Sequence, residues 1–263
     1  MSTTTTERGR TALFPARPVR RQGPVLRTAV SLLSWFWAVA LWYWAIVLVI
    51  VIGVPFLVRA VAGDVDVSIL WHARQSGIWF PFSVLIGVAT TYPAVHVANG
   101  MTRRSYARGA LVAVVVSAVA FALIMSGGLL AERAWYDAMG WSWRLQDGWF
   151  APGDGGILGV LVAYLATFLV SYLSGLLVGT VYLSAGGWWG TLTLPLTVGP
   201  IVLLMILVDN PYDWVPYSHL FGTAADGGTP LALIATVAAV LSLALAAAFW
   251  ALATRWSVPP RRG

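Results

Sequence analysis

Catalysis or ligand binding would need reactive side chains brought within reach of one another, and few are available. The chain of 263 residues has three histidines, His72, His96 and His219, no cysteine, and sixteen basic residues that are all arginine. Without cysteine there is no disulfide, thiolate metal site, iron-sulfur cluster or covalently held haem. Without lysine there is neither a phosphate loop ending in Lys-Ser or Lys-Thr nor a Schiff-base nucleophile. His72 and His219 fall in polar segments on one side of the apolar runs and His96 lies near the other side, so the three cannot ligate one ion. Each reads as a hydrogen-bonded interface residue, and no metal site is expected. Paired carboxylates for acid and base work share no apolar face. No apolar run holds Asp, Glu or Arg near its middle, where an ion-driven carrier usually keeps a coordinating group. A membrane enzyme and an ion-coupled carrier are therefore both disfavoured.

What remains is a basic turn, Val97 to Arg108, with three arginines and no acid between two long apolar runs. Asn99-Gly100 favours a turn, and Thr102 can cap a helix starting at Arg103. A helix lying along the membrane there would present Arg103, Arg104 and Tyr106 to the cytosol as a docking handle. Topology alone would also account for the arginines, since cytoplasmic loops are rich in them. Two further groups carry polar or small atoms inside apolar runs. Ser171, Gly175 and Gly179 recur at intervals of four on one helix face, which suits either packing within the chain or a dimer seam. Thr90, Thr91 and Tyr92, with Thr193 and Thr197, could line a pathway or bond back to their own helices.

The elements that must hold these residues are membrane spans. Hydrophobic residues make up 59% of the chain and charged ones 10%, where a soluble domain is about a quarter charged. About 20 apolar residues cross a 30 Å hydrocarbon core. Six runs have that length or nearly so: Val30 to Val58, Gly77 to Val97, Gly109 to Leu130, Ile157 to Val181, Thr191 to Val208 and Leu231 to Thr254. None alternates like a membrane barrel strand, so the expected fold is all-α, a bundle of six transmembrane helices. The fifth run is shortest and holds Pro195 and Pro200, which favours a kink or break. Residues 1–27 read as a disordered basic tail, 28–256 as the membrane domain and 257–263 as a second tail. The first apolar run is too long for a signal peptide and is expected to be retained.

Charge supports an even number of spans. With both termini cytoplasmic, twelve of the sixteen arginines lie inside and nine of the ten acids outside. That distribution is about +11 against −5, consistent with the net +6. Such scattered arginines argue for topology rather than nucleic-acid binding. The outer segments Glu132 to Gly156 and Asp209 to Thr229 mix acids, glycine, proline and tryptophan, as short interfacial helices do. They read as an anchoring aromatic belt or as an outer gate.

The segment Ala98-Asn99-Gly100-Met101-Thr102-Arg103-Arg104-Ser105-Tyr106-Ala107-Arg108-Gly109-Ala110-Leu111 resembles the loop between the second and third spans of type-2 permeases of ATP-binding-cassette transporters, especially small actinobacterial ones. Glu132-Arg133, Gly140-Trp141, Gly175 to Tyr182 and Gly186-Gly187-Trp188-Trp189-Gly190 are similar as well. The resemblance spans roughly residues 75 to 200. One departure is Leu183-Ser184-Ala185, where relatives tend to have a basic pair. The family implies a six-helix exporter subunit in the cytoplasmic membrane that pairs with itself or a sister permease. It would work with a separate ATPase that binds ATP and magnesium, leaving no cofactor on this chain. Asn99, Gly100, Thr102, Arg103, Arg104 and Tyr106 would form the coupling segment. The substrate would be amphipathic or hydrophobic. The alternative is a scaffold that packs other membrane proteins through the Gly175 and Gly179 face.

Overall fold

The computed structural model describes residues 23–144, 156–209 and 231–255. Residues 1–22 of the expected tail, the end 256–263, His219, residues 145–155 of the first aromatic outer segment and nearly all of the second lie outside them. The described residues form six helices: α1 Pro24–Ala62, α2 Ile69–Ala98, α3 Arg103–Met139, α4 Gly156–Leu192, α5 Leu194–Asp209 and α6 Leu231–Arg255. The fold is the expected all-α bundle. Five helices are long and apolar enough to cross a membrane, and α5 is a shorter apolar helix. This makes the chain a multi-pass membrane protein.

Several helices overshoot the hydrocarbon. At 1.5 Å per residue the 39-residue α1 is about 58 Å long and the 37-residue α3 about 55 Å, against a core of roughly 30 Å. Part of the segment expected to be a separate interfacial helix is in fact the end of α3. The helix runs on through Glu132, Trp135 and Tyr136 to Gly140, whose left-handed backbone ends it. Such a run has no breaker before Gly140, so nothing in it stops the helix at the membrane surface.

The central element is α4, which packs against α2, α3, α5 and α6 and is buried continuously from Val170 to Val181. A side-chain methyl at Gly175 would fall 2.5 Å from the Phe82 carbonyl oxygen, and one at Gly179 would fall 2.6 Å from that of Ile86. The glycines therefore admit the α2 backbone itself, as small residues do between helices in lipid. Ser171 lies fully buried in the same stretch, bonded to the Phe168 carbonyl. The stripe is thus an internal seam, occupied by α2 and closed to a second copy. That removes the face on which the scaffold alternative relied. Aromatic rings fill the space between α1, α3 and α4: Phe121 lies 5.9 Å from Phe36, 6.1 Å from Phe168 and 5.8 Å from Tyr172. The Tyr172 hydroxyl donates to the Gly77 carbonyl of α2 at 3.2 Å.

The break expected in the fifth run occurs at Thr193, between α4 and α5 and just before Pro195, and a sharper interruption precedes it. Gly186, at φ 81° and ψ 175°, interrupts α4, and the chain reverses there. The Tyr182 hydroxyl meets Thr191 Oγ1 at 3.0 Å, and a methyl on Gly190 would strike the Tyr182 ring at 2.7 Å. A straight helix would hold residues 182 and 190 about 12 Å apart along its axis. Pro195 sits at the start of α5, where a missing N–H costs nothing.

Candidate functional site

The basic turn is built by two caps placed back to back. Asn99 ends α2, its amide nitrogen Nδ2 donating to the Val95 carbonyl at 2.8 Å, and Gly100 turns the chain at φ 74°. Thr102 starts α3, its hydroxyl accepting from the Ser105 N–H at 3.1 Å. This is the turn and cap expected from the sequence. A second tie crosses it: Ser105 donates its hydroxyl to the Thr102 carbonyl at 2.7 Å, and His96 Nε2 lies 3.1 Å from Ser105 Oγ. With the single hydroxyl proton of Ser105 given to Thr102, His96 Nε2 acts as the donor. His96 is thus the hydrogen-bonded interface residue expected, and it joins the end of α2 to the start of α3. His72 makes a local bond of the same kind, Nδ1 to the Ser68 carbonyl at 3.1 Å.

Tyr106 corrects the expectation of a surface handle. It is 3% exposed, with its ring 6.1 Å from Tyr92, 5.9 Å from His96 and 6.2 Å from Phe249 of α6. The physical reason is helix phase. Capping at Thr102 makes α3 a helix continuous from Arg103, and Ser105, Tyr106 and Ala107 then face the bundle. No separate helix lies along the membrane at the turn. Asn99, Gly100, Thr102 and Arg104 are exposed and Arg103 is half-buried, so these five form the accessible surface. Because the caps, His96 and Tyr106 join α2 to α3, a force applied to the turn reaches both helices together.

The same end of the bundle gathers other arginines. A methyl on Gly109 would meet Thr28 Cβ at 2.6 Å, which brings the start of α1, with Arg27, beside the start of α3. The Arg108 guanidinium lies 5.7 Å from the Trp250 ring of α6, five residues before Arg255. Among the described residues this end holds no acid.

The other end is organised around a carboxylate whose role the sequence did not disclose. Glu132, 3% exposed, accepts from the Ile69 and Leu70 N–H groups at 3.0 Å each, from the Ser68 hydroxyl, and from Trp143 Nε1 at 3.2 Å. Ser68 Oγ in turn accepts from the Trp71 N–H at 3.1 Å. The first three orphan donors of α2 are therefore satisfied, two of them by a side chain from α3. The Arg144 carbonyl accepts from the Ser68 N–H at 3.0 Å, and its side chain pairs with Asp66 at 2.6 Å. Val65, Tyr136 and Trp141 pack together beneath. A lone acid inside the apolar flanks Leu129 to Ala131 and Ala134 to Trp135 was the available signal.

The threonines lie in the two segments expected, but their hydroxyls bond back to their own helices. Thr90 donates to Ile86 or Gly87, Thr91 to Gly87, Thr193 to Trp189 or Gly190, and Thr197 to Thr193 or Leu194. Tyr92 stacks on the Tyr106 ring. Two small voids lie within the described bundle. One is lined by Leu32, Phe36, Leu85 and their neighbours and the other by Ala89, Pro93, Tyr106 and Thr180; each is about 10 Å³. A void of that size is roughly room for one water and is no conduit for a larger solute. Set against family models, curated proteins and solved structures, the chain matches none.

Proposed function

We propose that this chain is the membrane-spanning subunit of an ATP-binding-cassette exporter, with the turn from Asn99 to Arg104 receiving a separate ATPase on the cytoplasmic side. The observation that carries the reading is the construction of that turn. It is exposed, basic and free of acid, and it is joined to two spans by the Thr102 cap and the His96–Ser105 contact. A short rigid lever of this kind suits a subunit that receives mechanical work without hydrolysing nucleotide. ATP and magnesium would bind on the partner. Closure of two ATPases would push on the turns, α2 and α3 would rock together, and the bundle would alternate between inward and outward openings.

The small voids add a constraint. A solute path would run between two copies, or between this chain and a sister permease, and the outward faces of α1 and α5 are free for that contact. Leu41, Trp42, Val49 and Leu196 are each at least 65% exposed. An apolar path of that kind suits an amphipathic or hydrophobic substrate.

Co-expression with the ATPase encoded nearest to the gene, followed by purification through a tag on this chain, tests the reading. The ATPase should co-purify with the native chain and be lost with R103E/R104E, while membrane insertion is unchanged because other arginines still mark the inner side. Equal recovery of the ATPase with that variant would remove the turn as the docking site. Failure of any ATPase to associate with the native chain would remove the exporter reading.

A further inference from the structure

The arginines flanking the turn point to a second partner at the same end, independent of any ATPase. Arg27 on α1, Arg108 on α3 and Arg255 on α6 are all exposed. They converge because Thr28 packs on Gly109, Arg108 lies over Trp250, and Ala253 lines the same void as Tyr106. Three helices distant in sequence thus each bring a guanidinium to one rim, and no described residue at that end carries a negative charge.

Tryptophan marks the depth of this rim. Leu183 lines the void shared with Tyr106 and Ala253, so the reversal at Gly186 that follows it is at this end too. Immediately past that reversal, Trp188 and Trp189 are 80% and 57% exposed, on the outside of an apolar bundle. Exposed indoles beside the ends of apolar helices sit at headgroup level, and the half-buried Trp250 under Arg108 is a further indole at this rim. A guanidinium at that level faces phosphate oxygens, which it can grip with two parallel hydrogen bonds.

We propose that Arg27, Arg108 and Arg255 form a binding rim for anionic phospholipid headgroups, distinct from the Arg103 and Arg104 surface of the turn. The partner chemistry is a phosphodiester held at an acyl-chain interface. Guanidinium supplies the charge and the indoles fix the depth, so a phosphate free in solution satisfies only half of the site. Each arginine near an anionic leaflet strengthens binding by roughly fivefold, so losing three weakens it on the order of 100-fold.

The test uses the full chain in neutral detergent, titrated with phosphatidylglycerol, with phosphatidylcholine, and with inorganic phosphate, reading retained lipid by native mass spectrometry and the thermal midpoint. Phosphatidylglycerol should be retained and raise the midpoint, whereas the other two should do neither. R27Q/R108Q/R255Q should lose that selectivity, R27K/R108K/R255K should keep most of it, and R103Q/R104Q should leave it intact. Equal retention of both lipids by the native chain, or undiminished selectivity in R27Q/R108Q/R255Q, overturns the proposal. A midpoint shift reproduced by inorganic phosphate alone also overturns it, by reducing the rim to a loose anion site. Because this experiment contains no ATPase, its outcome is separate from that of the exporter reading.

Discussion

The two ends of the bundle hold their helices by opposite electrostatic means. At the Glu132 end, charge is spent internally. Glu132 caps α2, Arg144 pairs with Asp66, and the Arg59, Arg74 and Arg133 guanidiniums lie 5.6, 4.6 and 5.5 Å from the rings of Trp141, Trp71 and Trp143. At the turn end, neutral groups do the joining, namely Thr102, Ser105, His96 and the Tyr106 stack, and the described residues include arginines but no acid. An end that compensates its own charge is built to stay assembled. One whose described residues carry arginines and no acid is suited to meet something negative, whether an acidic protein surface or a phosphate-bearing leaflet.

Breaking the carboxylate end should have the largest effect. Glu132→Ala leaves the Ile69 and Leu70 N–H groups at a buried helix start without acceptors, at about 1–3 kcal/mol each, so a loss of about 3 kcal/mol or more is expected in detergent unfolding. Glu132→Gln keeps one acceptor oxygen and should cost distinctly less. Equal behaviour of the two variants would show that the carboxylate is not the tie that holds this end.

The seam between the ends comes next. Gly179→Val places branched carbon where the Ile86 carbonyl already stands, and overpacking of this kind costs about 1–3 kcal/mol. Crosslinking of α2 to α4 should fall in that variant, and unchanged crosslinking would argue against the close approach.

The turn end should respond least. Ser105→Ala removes one contact to His96 and one to Thr102, with an expected loss of about 1 kcal/mol in the same unfolding assay. Tyr106→Phe should be neutral within about 0.5 kcal/mol, because the buried Tyr106 hydroxyl has no hydrogen-bond partner while its ring does the packing. A large loss from Tyr106→Phe would mean that the hydroxyl bridges helices through water in the adjoining void.

Much of this plan was legible in the sequence because lipid leaves few alternatives. Backbone groups in hydrocarbon must bond within their own helix, so six apolar runs translate directly into α1 to α6, and Asn99-Gly100 with Thr102 marks the turn by local chemistry alone. Three features were not legible. The reversal at Gly186 competes with nearby prolines that look like stronger breakers, and only the fold-back of Gly190 onto Tyr182 distinguishes them. The burial of Tyr106 depends on which face of α3 turns inward, a matter of helix phase against Tyr92 and Phe249. The partnership of Glu132 with Ser68 joins residues 64 apart in sequence, and no local pattern encodes a contact of that range.

The sidedness of the basic end underlies both proposals, and the absence of cysteine from the chain makes it directly measurable. Asn99→Cys and Asp64→Cys, each at an exposed position on opposite ends, can be labelled in intact cells with a membrane-impermeant maleimide. The account predicts labelling at position 64 in intact cells and at position 99 only after permeabilisation. Labelling of position 99 in intact cells would contradict it.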